Sequence, residues 1–196
     1  MEFSHMQGQK AATRYRRGSS SIVVRNRSGA KKMRNIEMLS SNGPVDDERI
    51  RLFELTLGVE LPSSYRNWMC LNNGGYPSRS NNFIQMDRFE PPLRCSVGIE
   101  SFLSLHEIPE ARNVYRKRIS SDLMPIADDG DGNYLCIAIL GEERGAVFFW
   151  DHECESAAFE LLGENAYSEN TRKIAENFDE LLMRLEREPG YADEPN

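Results

Sequence analysis

The sequence predicts an α+β domain: a central, mainly antiparallel sheet with helices near its N- and C-terminal ends. Three observations predict it. Apolar runs of strand length cluster in the middle of the chain, segments with helical spacing lie to either side, and strands do not alternate with helices as a parallel α/β sheet requires. At 196 residues, with 39% apolar and 28% charged side chains, the chain is long enough to bury a core without a metal or disulfide staple. No run approaches the ~18 apolar residues of a membrane span.

The elements follow in order. Residues 1–34 hold nine basic residues and one acid and show no apolar period. They read as a basic, disordered tail, with residues 1–6 resembling a vector-derived leader and Met33 the native start. The tail's own partner is left undetermined. The domain is expected over 35–190, followed by a short tail, 191–196. A first helix over 46–57 places Ile50, Phe53 and Leu57 at i, i+3 and i+7, with Asp46, Asp47 and Glu48 at its positive end. Gly58 can take the positive φ that stops it. Pro62, with Ser63 and Ser64 as hydroxyl caps, then starts a short second helix presenting Tyr65, Trp68 and Met69, and Asn73-Gly74-Gly75 ends it in a turn.

Beyond that turn, 83–86, 97–99 and 102–105 read as two or three strands, broken at Glu90-Pro91-Pro92. A helix is expected over 107–118 through Ile108, Ala111 and Tyr115, with Pro109 acceptable in its first turn. Residues 134–140 and 146–150 are apolar runs joined by Gly141-Glu142-Glu143-Arg144-Gly145, which predicts an antiparallel hairpin. Their unbroken apolarity predicts that both faces are covered. A further strand is expected over 158–162, and a last helix over 170–188 through Ile174, Phe178, Leu181 and Leu185, ended by Pro189-Gly190.

The motifs carry little catalytic chemistry. Asp128-Asp129-Gly130-Asp131-Gly132-Asn133 has the composition of a cation loop, but a calcium-loop count from Asp129 puts Tyr134 at the glycine position and Leu140 at the bidentate acid. It reads as a turn. Asp151-His152-Glu153-Cys154 lies on an extended segment, where neighbours point to opposite faces. Cysteines at 70, 95, 136 and 154 lack Cys-x-x-Cys spacing and read as reduced thiols of a cytoplasmic protein. Nucleophile elbows and phosphate loops are missing, and the sequence implies no cofactor and no metal. Trp68, Trp150, Phe148 and Phe149 are expected in the core.

The body is strongly acidic. After residue 34 there are 15 basic and 30 acidic residues, a net of −15. Such a field favours a basic protein partner and disfavours nucleic acid.

Residues 57–69, Leu-Gly-Val-Glu-Leu-Pro-Ser-Ser-Tyr-Arg-Asn-Trp-Met, with Asn72-Asn73-Gly74-Gly75-Tyr76-Pro77, resemble the opening block of the SUKH superfamily, the Smi/Knr-type domains. Three later blocks are similar to the family's in its own order: residues 122–133, the Gly145-to-Glu153 strand, and residues 174–182. The resemblance spans 46–187 and implies a single SUKH-like domain of the bacterial immunity branch, which binds and neutralises a cognate toxin, often a nuclease, without catalysis. The alternative it implies is a regulatory or scaffold module, as in eukaryotic relatives that serve cell-wall signalling or ubiquitin ligases. Acidic turns around the central hairpin are the candidate partner-binding residues: Asp128, Asp129 and Asp131, then Glu142 and Glu143, then Asp151, Glu153 and Glu155. An acidic inhibitor can occupy a basic nuclease cleft as a phosphate mimic.

Overall fold

A computed structural model describes residues 36–85, 96–153, 170–187 and 189–190, all within the unit 33–196. The expectations for residues 1–34, for the strand over 158–162 and for the 191–196 tail lie outside the described residues.

Strand β1 (Met38–Ser41) leads into helix α1 (Asp47–Leu57) and helix α2 (Ser63–Asn72). Next come β2 (Gly75–Pro77), β3 (Phe83–Gln85), β4 (Ser96–Gly98) and β5 (Ser101–Phe102), and then helix α3 (Glu107–Val114). The chain continues through β6 (Leu123–Asp128), β7 (Tyr134–Ala138), β8 (Val147–Trp150) and β9 (Thr171–Ala175) to helix α4 (Phe178–Arg184). Seven strands form one sheet in the order β1-β2-β5-β6-β7-β8-β9, and every pair in it is antiparallel. β3 and β4 form a separate two-stranded sheet. The α+β class and the central hairpin are therefore as expected from sequence.

The first helical corner is built as its residues dictate. Asp46 caps α1, accepting from the Arg49 N–H at 2.8 Å, and Gly58 at φ 75° donates its N–H to Glu54 and Leu55 carbonyls. Glu54, only 9% exposed, accepts from the Leu61 N–H and from Arg66 Nε at 3.1 Å, and Arg66 also pairs with Asp47. The hydrogen bond from Arg66 holds the Asp47 carboxyl below its usual pKa. One expectation fails here. Neither Ser63 nor Ser64 caps α2: the helix already begins at Ser63, so Pro62, which has no side-chain acceptor, occupies the N-cap and both serines lie inside the first turn.

Two other boundaries differ from expectation. α3 stops at Val114 and gives way to a turn over 115–118. The expected helix over 170–188 is two elements: Ile174 lies in β9, pairing beside β8, and the helix begins only at Phe178. Asn177 is the reason. Its side chain accepts from the Glu180 N–H at 3.0 Å and caps α4, while the residues before it continue the sheet.

Both faces of the central strands are buried, as alternation along β7 shows. Leu135 and Ile137 point into the larger core with Ile50, Tyr65, Trp68, Phe102 and Phe178. Cys136 and Ala138 point the other way, into a smaller core with Leu123, Phe148 and Trp150, covered by Tyr115 and Ile119 from the end of α3. In the larger core the Phe178 ring lies 5.0 Å from Tyr65, 5.4 Å from Trp68 and 6.2 Å from Phe102, centroid to centroid. Aromatic groups of this size dominate core energetics.

Cys136 is fully buried and burial pushes its thiol pKa up, whereas Cys70 is partly exposed. A maleimide is therefore expected to leave Cys136 unlabelled in the native protein and to modify it once denaturant is added. Mass mapping of native and denatured samples checks this, and native labelling at Cys136 contradicts the packing described here.

Candidate functional site

The β6–β7 turn folds around its own carboxylates. Gly130 and Gly132 both take positive φ, 80° and 96°. Asp128 accepts from the Gly130 N–H at 3.1 Å and from the Ser101 hydroxyl of β5. Asp129 Oδ1 accepts from the N–H groups of Asp131, at 2.9 Å, and Asn133, at 3.0 Å. Its Oδ2 accepts from Asn133 Nδ2 at 2.6 Å. These are the bonds of an Asx-stabilised turn.

Asn133 then ties this turn to the next. It is fully buried, and its Oδ1 accepts from the His152 N–H at 2.9 Å and lies 2.8 Å from His152 Nδ1. A carbonyl oxygen can only accept, so this geometry places a proton on Nδ1 of the imidazole. The His152 ring in turn fits against Gly132, where an added Cβ would sit 3.3 Å from Cε1. Asp151 is 5% exposed, and its Oδ1 accepts from the Glu153 N–H. Asn170 donates through Nδ2 to the Asp151 carbonyl at 2.8 Å, and Arg118 donates to the His152 carbonyl at 3.1 Å. The Arg118 guanidinium also lies over the Trp150 ring, 5.1 Å from its centroid.

The register fixes which end of the sheet these turns occupy. Asp128 pairs with Tyr134 and Tyr134 with Trp150, so the turns carrying Asp128, Asp129, Asp131, Asp151 and Glu153 share one end. The β7–β8 turn, with Glu142 and Glu143, is at the opposite end, about 20 Å away at ~3.3 Å per residue. There Lys173 of β9 bridges Glu143 at 2.6 Å and Glu176 at 2.7 Å, and Arg144 donates to the Glu60 carbonyl. The candidate acids are thus two groups, not one ring around a hairpin.

Their burial divides them again. Asp128 and Asp129 are half-buried and Asp151 buried, each accepting hydrogen bonds that shape the turns, while Asp131, Glu142, Glu143 and Glu153 are exposed. Glu155 lies outside the described residues. Sequence reasoning did not single out Ser101, Asn133 or Asn170, and it set His152 aside as one member of the Asp151-to-Cys154 segment. Of these, only Asn133 had a local signal, a polar side chain between a glycine turn and an unbroken apolar strand.

Other concavities offer no catalytic set. A groove of about 670 Å³ between α1 and α2 is lined in part by Asp47, Arg51, Glu54 and Arg66, which pair with one another. Among the described residues no group of three His, Cys, Asp or Glu side chains could hold a metal ion. No helix among them is long and apolar enough to cross a membrane.

Residues 44–184 match the model of the SMI1 / KNR4 family (SUKH-1). The chain is also 26% identical over 162 residues to the SPbeta prophage-derived uncharacterized protein YokK of Bacillus subtilis (strain 168), an alignment that covers 75% of this chain and 78% of that protein.

Proposed function

Because this chain belongs to the SMI1 / KNR4 family (SUKH-1), which includes immunity proteins, we propose that it is a cytoplasmic, non-enzymatic immunity protein that binds and neutralises a cognate toxin domain with a basic surface, such as a nuclease. The observation that carries the reading is the paired turn at the Asp128 end of the sheet. Its inner groups, Asp129, Asn133, His152 and Asp151, are engaged in the turns' own hydrogen bonds, and they present the exposed Asp131 and Glu153 on a fixed frame. Pre-positioned carboxylates bind a cationic cleft with less ordering cost than carboxylates on loose loops. Association with a basic partner is accelerated by the net negative field.

The product of the neighbouring reading frame is the natural candidate for the toxin. Co-expression is expected to rescue growth and to give a co-purifying one-to-one complex. A harmless neighbour that does not bind sinks the proposal. Charge reversal then separates the two ends: Asp131→Lys with Glu153→Lys is expected to weaken toxin binding at least tenfold, largely through slower association, and Glu142→Lys to have a smaller effect. Surface plasmon resonance at two salt concentrations reads both. If reversal at both ends leaves affinity and salt dependence unchanged, the partner surface is elsewhere.

A further inference from the structure

The end of α3 and the turn after it concentrate positive charge on a protein of net charge −7: Arg112, Arg116, Lys117 and Arg118 fall within seven residues. The acidic turns do not account for this cluster. Arg118 is committed to the His152 carbonyl and the Trp150 ring. Arg112, Arg116 and Lys117 are different: among the described residues, none of them forms an ion pair with a carboxylate. Arg112 is also half-buried, and its side chain's hydrogen bond is a long one, from Nη2 to the Ser121 carbonyl at 3.5 Å. Burial draws its pKa down. A guanidinium withdrawn from water without a counterion is costly, and the chain has 31 acidic residues from which one could have been placed beside it.

Next to Arg112 lies a cavity of about 100 Å³. Arg112, Arg116, Ser120 and Ser121 give it a polar side, and Leu123 and Pro125 an apolar one. α3 ends at Val114, and the turn that follows, closed by the Arg118 and Ile119 N–H groups on the Tyr115 carbonyl, carries Arg116 onto the wall of the cavity that Arg112 also lines. One water needs ~10–15 Å³ of such space, so this cavity is roomy enough for one carboxylate and the methylenes that carry it. Exposed Val114, 62% accessible, adds an apolar neighbour on the same helix.

We propose that this cavity is a receptor for a carboxylate side chain of a protein partner, an acidic segment whose Glu or Asp enters between Arg112 and Arg116. Two arginines line this one small cavity, and a guanidinium fork matches the bidentate geometry of a carboxylate. A nucleic-acid backbone fits worse. It brings a row of phosphates, whereas the cavity has room for one anionic group and its Arg118 side borders the Asp151 and Glu153 turn. The cavity's lining includes none of the acids proposed to contact the toxin, and the inference stands whether or not that reading holds.

The test uses a fluorescein-labelled glutamate-rich peptide and the same peptide with glutamine in place of glutamate, followed by anisotropy at low ionic strength. The glutamate peptide is expected to bind the full chain and the glutamine peptide not to. Arg112→Gln with Arg116→Gln should lose about tenfold or more in affinity, while Arg49→Gln with Arg51→Gln on α1 should lose none. Equal binding of the two peptides overturns the proposal, as does unchanged affinity in the Arg112/Arg116 variant. Tighter binding of a single-stranded oligonucleotide that depends on the same two arginines also overturns it. Should the double variant not fold, Arg116→Gln with Lys117→Gln, both exposed positions, replaces it. Full binding by that variant counts against the receptor, and weakened binding supports it.

Discussion

Gly75→Ala is expected to cost roughly 2–6 kcal/mol of folding stability, a large share of the total. Gly75 has a φ of 116°, a region side-chain-bearing residues rarely adopt, and a Cβ built there would stand 2.3 Å from the Ser40 carbonyl oxygen and 2.7 Å from Ser41 Cα. Both are backbone atoms of β1, so no side chain can swing aside. Gly75 pairs with Ser41 on one side and with Phe102 on the other, so the strand cannot retreat either. Backbone strain of ~1–3 kcal/mol adds to overpacking of ~1–3 kcal/mol or more, against a typical total of ~5–15 kcal/mol. Urea denaturation read by tryptophan fluorescence measures the loss. A variant within ~1 kcal/mol of the parent means the β1–β2 approach is not as close as described.

Asn133→Ala is the second large effect, expected at about 3 kcal/mol. The side chain is wholly buried and serves Asp129, the His152 backbone and the His152 ring at once. Truncation takes the acceptor from the part-buried His152 N–H and one of the donors from the half-buried Asp129 carboxylate, and leaves a cavity, at ~1–3 kcal/mol for each lost buried partner. Thermal unfolding gives the magnitude. Hydrogen exchange adds a readout that a generic core defect would not produce: the amides of Asp131, Asn133 and His152 should lose protection together, while those of the β7–β8 turn, at the far end of the sheet, keep theirs. If the two turns respond separately, Asn133 does not couple them.

Much of the fold was legible because period and punctuation agreed. The α1 stop at Gly58, the α2 face of Tyr65, Trp68 and Met69, and the β7–β8 hairpin are local statements that packing had no reason to override. The failure at 170–188 is instructive. Ile174, Phe178, Leu181 and Leu185 fit one helical stripe, yet only Phe178 and Leu181 lie in α4: Ile174 is buried from β9 and Leu185 from the extended residue after the helix, because Asn177 resets the backbone and β8 offers an open edge to the residues before it. Periodicity cannot register that edge. Gly75 was read as turn and proved to be strand, since what selects glycine there is the nearness of β1, a contact 34 residues away in the chain. The acids of the candidate site were visible as a composition, but their division between two sheet ends depends on register, and the burial of Asp151 on its neighbours in space. The basic run 112–118 was equally visible; what marks it out is which of its members go without a counterion.

The placement of Phe178 sets when this protein can become itself. Its ring fills the space between Tyr65, Trp68 and Phe102, residues synthesised at least 75 positions earlier. Neighbouring strands of the large sheet follow one another along the chain, so pairing can advance as each emerges from the ribosome. The aromatic cluster, however, stays open to water until α4 has been made. A growing chain therefore passes through a long interval with its first two helices unsealed, and closure is a single late event. A copy that ends before Phe178 lacks the ring that closes this cluster, so truncation short of α4 removes the seal of the larger core as a whole and not a peripheral part of it.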